Sequence, residues 1–253
     1  HRAAKENLIP VRFKSKEHFA GGVDAAASHL KTFCETVDIA SSGPSTRKVR
    51  FVDENYLHKL FEVHYQDGRG GRPRPDVADY DCVIAADFGH GEIKHADEFA
   101  NAEFLAVSTQ TNAANRGFNL ITKYPSADYI VIDEPEARLA AADEDGHLED
   151  VIHKLAHGRC ERLIVTHGSH GAYGYENGKF FHQKALSNEL VRDTMGAGDA
   201  FFAITAPMAK TGSMEDLLLI GNAAGALKTQ IVGHRESVTK QHLIEFLKAN
   251  VSR

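Results

Sequence analysis

Three stretches of the chain are almost continuously apolar: Asp81-Cys82-Val83-Ile84-Ala85-Ala86-Asp87, Tyr129-Ile130-Val131-Ile132-Asp133 and Leu163-Ile164-Val165-Thr166. Runs of that length with no polar alternation mark strands buried on both faces. The first two stop on an acidic residue, and the third runs into His167-Gly168. Between and after them, apolar positions recur at helical spacing over 24–35, 136–142, 148–157, 200–210, 214–230 and 240–249. Strands alternating with helices predict an α/β fold, a mostly parallel central sheet with helices on both sides. Ligands of such sheets bind outside the carboxyl ends of the strands, so Asp87, Asp133 and the turn after Thr166 point to one site.

Residues 47–64 break this rhythm. Val49-Arg50-Phe51-Val52 and Leu60-Phe61-Glu62-Val63 are short β-type runs around Asp53-Glu54-Asn55, which predicts an antiparallel pair, a small β lid over about 46–66. Val37-Asp38-Ile39 begins like another strand, yet Ala40-Ser41-Ser42-Gly43-Pro44-Ser45 leads straight to the lid. The Gly70-Gly71 region likewise reaches Asp81 with no helical pattern between. Parallel strands need a crossover of at least ~10–12 residues. The expectation is one domain over 1–253 from which an N-terminal strand and some internal segments are missing.

Composition narrows the function classes. Net charge is −6, and the basic segment Arg69-Gly70-Gly71-Arg72-Pro73-Arg74 is short, so nucleic acid is not the expected partner. No apolar run approaches the ~20 residues of a membrane span. Cys34, Cys82 and Cys160 are scattered without CxxC spacing, which predicts no disulfide framework and a cytoplasmic setting.

The most informative string is Asp193-Thr194-Met195-Gly196-Ala197-Gly198-Asp199-Ala200-Phe201-Phe202. A Gly-rich turn opening a helix presents the backbone N–H groups of Gly196, Ala197 and Gly198 to an anion, and Asp199 beside them suits a general base. The plain alternative is a helix start capped by Asp199. The string as a whole resembles the second signature of the ribokinase/PfkB family of carbohydrate kinases. That resemblance implies a ribokinase-like three-layer α/β/α fold, ATP and Mg²⁺ as cofactors, and a small-molecule sugar or sugar phosphate as acceptor. Asp199 would then be the catalytic base, the 196–198 amides the anion hole, and Thr194 a contact to nucleotide phosphates.

Other segments resemble the family residue by residue. Asp133-Glu134-Pro135-Glu136 is similar to its Asn-x-x-Glu element, with Asp at the first position, and implies metal and phosphate organisation by Asp133 and Glu136; a capped helix start is the competing reading. Thr166-His167-Gly168-Ser169-His170-Gly171 resembles the loop along the nucleotide, implying roles for Thr166, Gly168 and Gly171. His167 and His170 lack a third ligand nearby, which disfavours a metal there. The resemblance places Asn222 and Gly233 near adenine. Gly21-Gly22-Val23-Asp24-Ala25-Ala26 resembles the first, sugar-side signature, although alanines stand where the family has asparagine. Asp87-Phe88-Gly89-His90-Gly91 and Arg50 resemble substrate-facing and lid positions. The resemblance runs from about residue 5 to 247 and is most similar to the heptose-phosphate kinase branch; it also implies a homodimer through the lid. The competing class is a catalytically weak sugar- or nucleotide-binding regulator on the same fold. A nicotinamide-binding Rossmann enzyme is disfavoured, because no strand–GxGxxG–helix is present.

Overall fold

A computed structural model describes residues 10–41, 45–53, 59–67, 75–112, 115–186 and 191–251. The loop at Glu54-Asn55, the 69–74 basic segment with Gly70-Gly71, and Ser42-Gly43-Pro44 lie outside the described residues. The central sheet has six strands in chain order: β3 (Val83–Asp87), β4 (Leu105–Thr109), β5 (Tyr129–Asp133), β6 (Arg162–Thr166), β7 (Ala172–Glu176) and β8 (Lys179–Gln183). Strands β3 to β6 are parallel, and β7 and β8 return antiparallel. Alternate side chains of each strand feed two cores. Ile130, Ile132, Leu163 and Val165 pack beneath α2 (Glu134–Ala141) and α3 (Leu148–Ala156). Tyr129, Val131 and Ile164 pack beneath α4 (Ala197–Thr205) and α5 (Met214–Lys228). This is the predicted three-layer arrangement. Helix α1 (Gly22–Leu30) adds Ala26 and Leu30 against Ala203, and α6 (Lys240–Val251) closes the far side of α5 through Leu243.

The lid is a two-stranded antiparallel sheet, β1 (Ser45–Val52) and β2 (Lys59–Asp67). Its register pairs Lys48 with His64, Arg50 with Glu62 and Phe51 with Phe61. Period-two alternation therefore puts the charged pairs on one face and the stacked Phe51–Phe61 rings, 4.2 Å apart, on the other.

Several elements depart from the sequence expectation. Residues 37–39 form no strand. Helix α1 stops at Leu30 rather than 35. Helix α4 ends at Thr205, because Pro207 has no N–H for the next helical bond, and 207–210 continue as a 3₁₀ turn. Strand β4 has no counterpart in the sequence pattern, its apolar part being only Leu105-Ala106-Val107 before Ser108. The β7–β8 hairpin is a further addition, although Asn177-Gly178, both at positive φ (49° and 84°), is the turn such hairpins favour.

The two helices that carry the second core meet closely at Gly221. A Cβ there would lie 2.3 Å from the buried Phe201 ring. Gly221→Ala is expected to lower stability by about 1–3 kcal/mol through overpacking, read as a reduced urea midpoint at unchanged m-value.

Candidate active site

The strand ends and the start of α4 converge. Gly196 is the N-cap of α4 at φ 79°, a left-handed conformation that a side chain strains, and a Cβ there would stand 3.3 Å from Lys228 Cε. The first helical bond runs from Ala200 N to Gly196 O at 2.9 Å. The Ala197 N–H reaches Thr194 O only at 3.4 Å. Among the described residues, the N–H groups of Gly196, Gly198 and Asp199 meet no acceptor. Three donors at a helix N-terminus are thus left for an anion. Thr194 is exposed at the mouth of this turn.

Asp199 is half-buried on the first turn of α4. Its Oδ1 accepts a 2.6 Å hydrogen bond from Gln110 Nε2. Burial pushes its carboxyl up to about 6, against the opposing pull of the Lys228 charge, the Gln110 bond and the Lys48 charge. Sequence reading missed Gln110, which follows β4; its own N–H donates to Asp87 O at 2.9 Å, so the end of the sheet is tied to the carboxylate.

Asp87 itself is 2% exposed. Its carboxylate accepts from Lys123 Nζ, from Tyr124 OH at 3.0 Å and from Gly89 N at 3.1 Å. Those three donors make it the anchor of the strand end and leave it little reach toward a ligand. Gly22 lies against the neighbouring segment, for a Cβ on it would enter the Phe88 ring at 2.5 Å. Gly21, the N-cap of α1, is exposed beside it. The two sequence segments expected on the substrate side therefore touch.

Asp133 and Glu136 form a reciprocal capping box on α2. Asp133 Oδ1 accepts from Glu136 N at 2.8 Å, and Glu136 Oε2 accepts from Asp133 N at 3.0 Å. Glu136 Oε1 also takes Thr111 N at 2.9 Å, so both its oxygens hold backbone. Burial shifts both carboxyls upward. Among the described residues no group of three His, Cys, Asp or Glu could cage a metal. Thr166 ends β6 next to Asp133 in register, and its hydroxyl makes a long 3.5 Å contact to Ile132 O. Gly168 is open to solvent, whereas Gly171 is glycine for an internal reason: a Cβ would meet Gln183 O at 2.0 Å. Asn222 Nδ2 returns to Leu218 O in its own helix. Gly233, by contrast, is stitched to the anion turn, its N–H donating to Asp193 Oδ2 at 2.9 Å.

The charged face of the lid overlooks this centre. Arg50 pairs with Glu62, which also holds His64, and Lys48 is close enough for its charge to act on Asp199. The His64 ring lies 6.2 Å from that of His90, whose two nitrogens are buried without a partner.

A carboxyl whose folded pKa of about 6 exceeds its ordinary 3.8 opposes folding when ionised. That cost is absent below pH 3.8 and complete above about 6. Asp199→Asn is therefore expected to stabilise the chain by about 1–3 kcal/mol at pH 7.5. The gain should vanish by pH 4, a comparison that thermal melts at the two pH values would make.

Residues 92–241 match the pfkB family carbohydrate kinase description, more than half of the chain. Bifunctional protein HldE of Bradyrhizobium diazoefficiens is 27% identical over 243 residues, covering 86% of this chain and 47% of that protein. The chain spans half or less of the length of the curated relatives it matches. A Burkholderia thailandensis nucleoside kinase in complex with inosine has the same fold, with TM-score 0.71, 17% identity, and coverage of 99% of this chain and 93% of that one. Arabidopsis thaliana ribokinase complexed with ribose and ATP aligns at TM-score 0.63 and 19% identity over 81% of this chain and 70% of that one. Among the described residues no helix is long and apolar enough to cross a membrane. On its ribokinase-like α/β/α fold and the family match along most of its sheet, the chain belongs to the pfkB family of carbohydrate kinases.

Proposed function

We propose that the chain phosphorylates a hydroxyl of a sugar or sugar phosphate with ATP, and that Asp199 is the general base. One observation carries this reading: a half-buried carboxylate stands one residue beyond Gly198, whose N–H has no acceptor among the described residues. In that position Asp199 takes the proton of the attacking hydroxyl, and the amides of the turn receive the charge gathering on the transferred phosphoryl oxygens. Gln110 holds the carboxylate in one orientation, which lowers the cost of finding the productive geometry.

The nucleotide side comprises Thr194, Thr166, Gly168, Asn222 and Gly233, with Gly171 shaping its loop from within. The fold shared with an Arabidopsis ribokinase whose structure is complexed with ribose and ATP supports that donor here. Mg²⁺ bound with the nucleotide would neutralise phosphate charge. Asp133 and Glu136 suit it as holders of its water shell, since Mg²⁺ keeps several waters and Glu136 already spends both oxygens on backbone. The acceptor side comprises Gly21, Gly22 and the lid. Asp87 contributes by fixing the floor. Lys48, Arg50, His64 and His90 gather positive or proton-donating groups above that floor, which favours an acceptor already carrying a phosphate, such as a heptose phosphate. The lid's exposed apolar face fits a second copy of the chain, giving a homodimer; the setting is cytoplasmic.

A binding-only protein remains the competing reading. Ala25 and Ala26, each 7% exposed, offer no polar grip where the family has an asparagine. ADP release from ATP and Mg²⁺ across a panel of sugars and sugar phosphates separates the two. The kinase reading expects turnover that falls by about 10²–10⁴-fold in Asp199→Asn. Absence of turnover on every acceptor, or equal turnover by the variant, would overturn it. Because the base acts only when ionised, kcat/KM should also fall below pH 6, by about tenfold per pH unit, with the acid limb set near the Asp199 value of about 6.

A further inference from the structure

Gln110 stands immediately beyond β4, and its backbone is held on both sides. Its N–H donates to Asp87 O at 2.9 Å, and its carbonyl takes Asn115 Nδ2 at 2.9 Å and Asn119 Nδ2 at 3.3 Å. The next amide, Thr111 N, is taken by Glu136. The side chain therefore leaves from a fixed point between the substrate-side floor at Asp87 and the base. Its carboxamide has one donor end and one acceptor end. An ionised carboxylate only accepts, so the Nε2 end faces Asp199 Oδ1, at 2.6 Å. The Oε1 end then needs a donor of its own, and among the described residues it meets none. Asp199 Oδ2 likewise accepts nothing from them. Neither oxygen is sealed from solvent. One N–H···O contact thus brings two open acceptors together, since Oε1 shares a carbon with Nε2 and Oδ2 shares one with Oδ1. Two acceptors cannot satisfy each other, and a molecule carrying two closely spaced donors engages both.

We propose that Gln110 and Asp199 together read a vicinal diol: Asp199 Oδ2 faces the attacking hydroxyl, and Gln110 Oε1 accepts the hydroxyl on the adjacent carbon. The inference deepens the kinase reading and rests on it. The attacking oxygen bonds to the γ-phosphorus of ATP as the bond from that phosphorus to the oxygen kept by ADP breaks, and its proton passes to Asp199. The neighbouring hydroxyl keeps its proton and fixes the rotation of the acceptor about the shared carbon–carbon bond. An acceptor without it leaves Gln110 Oε1 desolvated and unpaired in the occupied site. The substrate class is thus a sugar or polyol with a free hydroxyl beside the one phosphorylated. A heptose phosphate belongs to that class. The hydroxymethyl group of a ribofuranose, flanked by a ring ether, does not.

The test measures ADP release from ATP and Mg²⁺ with mannose, ribose and a mannoheptose phosphate, and locates the new phosphate by phosphorus NMR. It is repeated with the monodeoxy analogues of the acceptor that turns over. In the native chain, removing the hydroxyl beside the phosphorylated carbon should lower kcat/KM about 10–100-fold, and removing a more distant one far less. Gln110→Leu should lose a similar factor on the parent acceptor and use parent and analogue alike. Its acid limb should move to higher pH, because the Nε2 bond that lowers Asp199 is gone while the Lys48 and Lys228 charges facing it remain. Gln110→Glu keeps an oxygen toward the diol and should keep the preference for the parent. A positioning role alone would lower turnover on parent and analogue equally. Equal use of both by the native chain, or a full preference retained by Gln110→Leu, would overturn the proposal. If Gln110→Leu shows no urea unfolding transition, Gln110→Glu decides, and loss of preference there overturns it. Turnover that depends on Asp199 yet ignores the neighbouring hydroxyl defeats this inference alone, whereas absence of turnover on every acceptor defeats the kinase reading as well.

Discussion

A helix can leave its first N–H groups bare toward a cleft only when the rest of it is pinned, since those groups otherwise find partners by fraying or shifting. Helix α4 meets that condition. Every residue from Ala200 to Ala206 is at most 3% exposed. Phe201 fills the space that Gly221 leaves on α5, and the Tyr129 hydroxyl donates to Thr205 Oγ1 at 2.9 Å, so the helix is fixed to the sheet both by shape and by a buried hydrogen bond. Thr205 Oγ1 in turn donates to Phe201 O at 2.8 Å, which leaves no polar atom of that contact orphaned. Burying Phe201, Phe202 and Ile204 contributes about 1.5–3 kcal/mol each, enough to offset the bare amides at the other end.

The same pinning sorts the carboxylates by environment. Asp87, Asp193 and Asp199 all lie near the strand ends and the anion turn, yet their partners differ. Asp87 is spent on Lys123, Tyr124 and Gly89. Burial alone would raise Asp193, but the N–H groups of Gly233 and Met195 and the Lys228 charge bring it below the usual carboxylate range. Asp199 has one side-chain donor, and there burial outweighs the opposing charges and lifts the carboxyl to about 6. Environments that drive neighbouring acids apart in this way separate a fixed structural anion from one able to exchange a proton near neutral pH. Asp193 and Asp199 stand on the two sides of one short turn, and nothing in their residue type distinguishes them.

Local pattern and tertiary contact divide what the sequence reveals of this site. The strand ends at Asp87, Asp133 and Thr166, the layered fold, and the turn at Gly196 could be read because they depend on local pattern: apolar runs, helical spacing, a glycine where φ is positive. The capping box at Asp133 and Glu136 was legible for the same reason. Gln110 and Lys228 were not. Gln110 follows a strand too short and too quickly polar to register, and its meaning lies in a contact with residue 199. Lys228 reads locally as a basic residue at a helix end, favourable to the dipole, and only the return of the 193–196 turn and of the 231–233 loop makes it a buried centre. Asp87 shows the reverse: an acidic strand end suggests a ligand contact, and the tertiary fold consumes it with Lys123 and Tyr124 instead.

A two-stranded sheet is marginally stable in water. The Phe51–Phe61 stack and the Arg50–Glu62 pair add about 1–2 kcal/mol together, too little to hold a ribbon rigid, and both aromatic rings remain more than one-third exposed. Its position must therefore come from contacts at its two faces. The charged face offers Lys48, whose amine burial weakens, and Arg50 toward the floor of the site. On the proposed reading a bound acceptor supplies the missing contact there, and the ribbon closing over it excludes water from Asp199 and strengthens every charge interaction inside. On the same proposed reading, a second copy of the ribbon covers the apolar face, which is self-complementary to it. Substrate capture and assembly would thus act on opposite faces of one hairpin, and its alternation of charged and aromatic residues is what allows both.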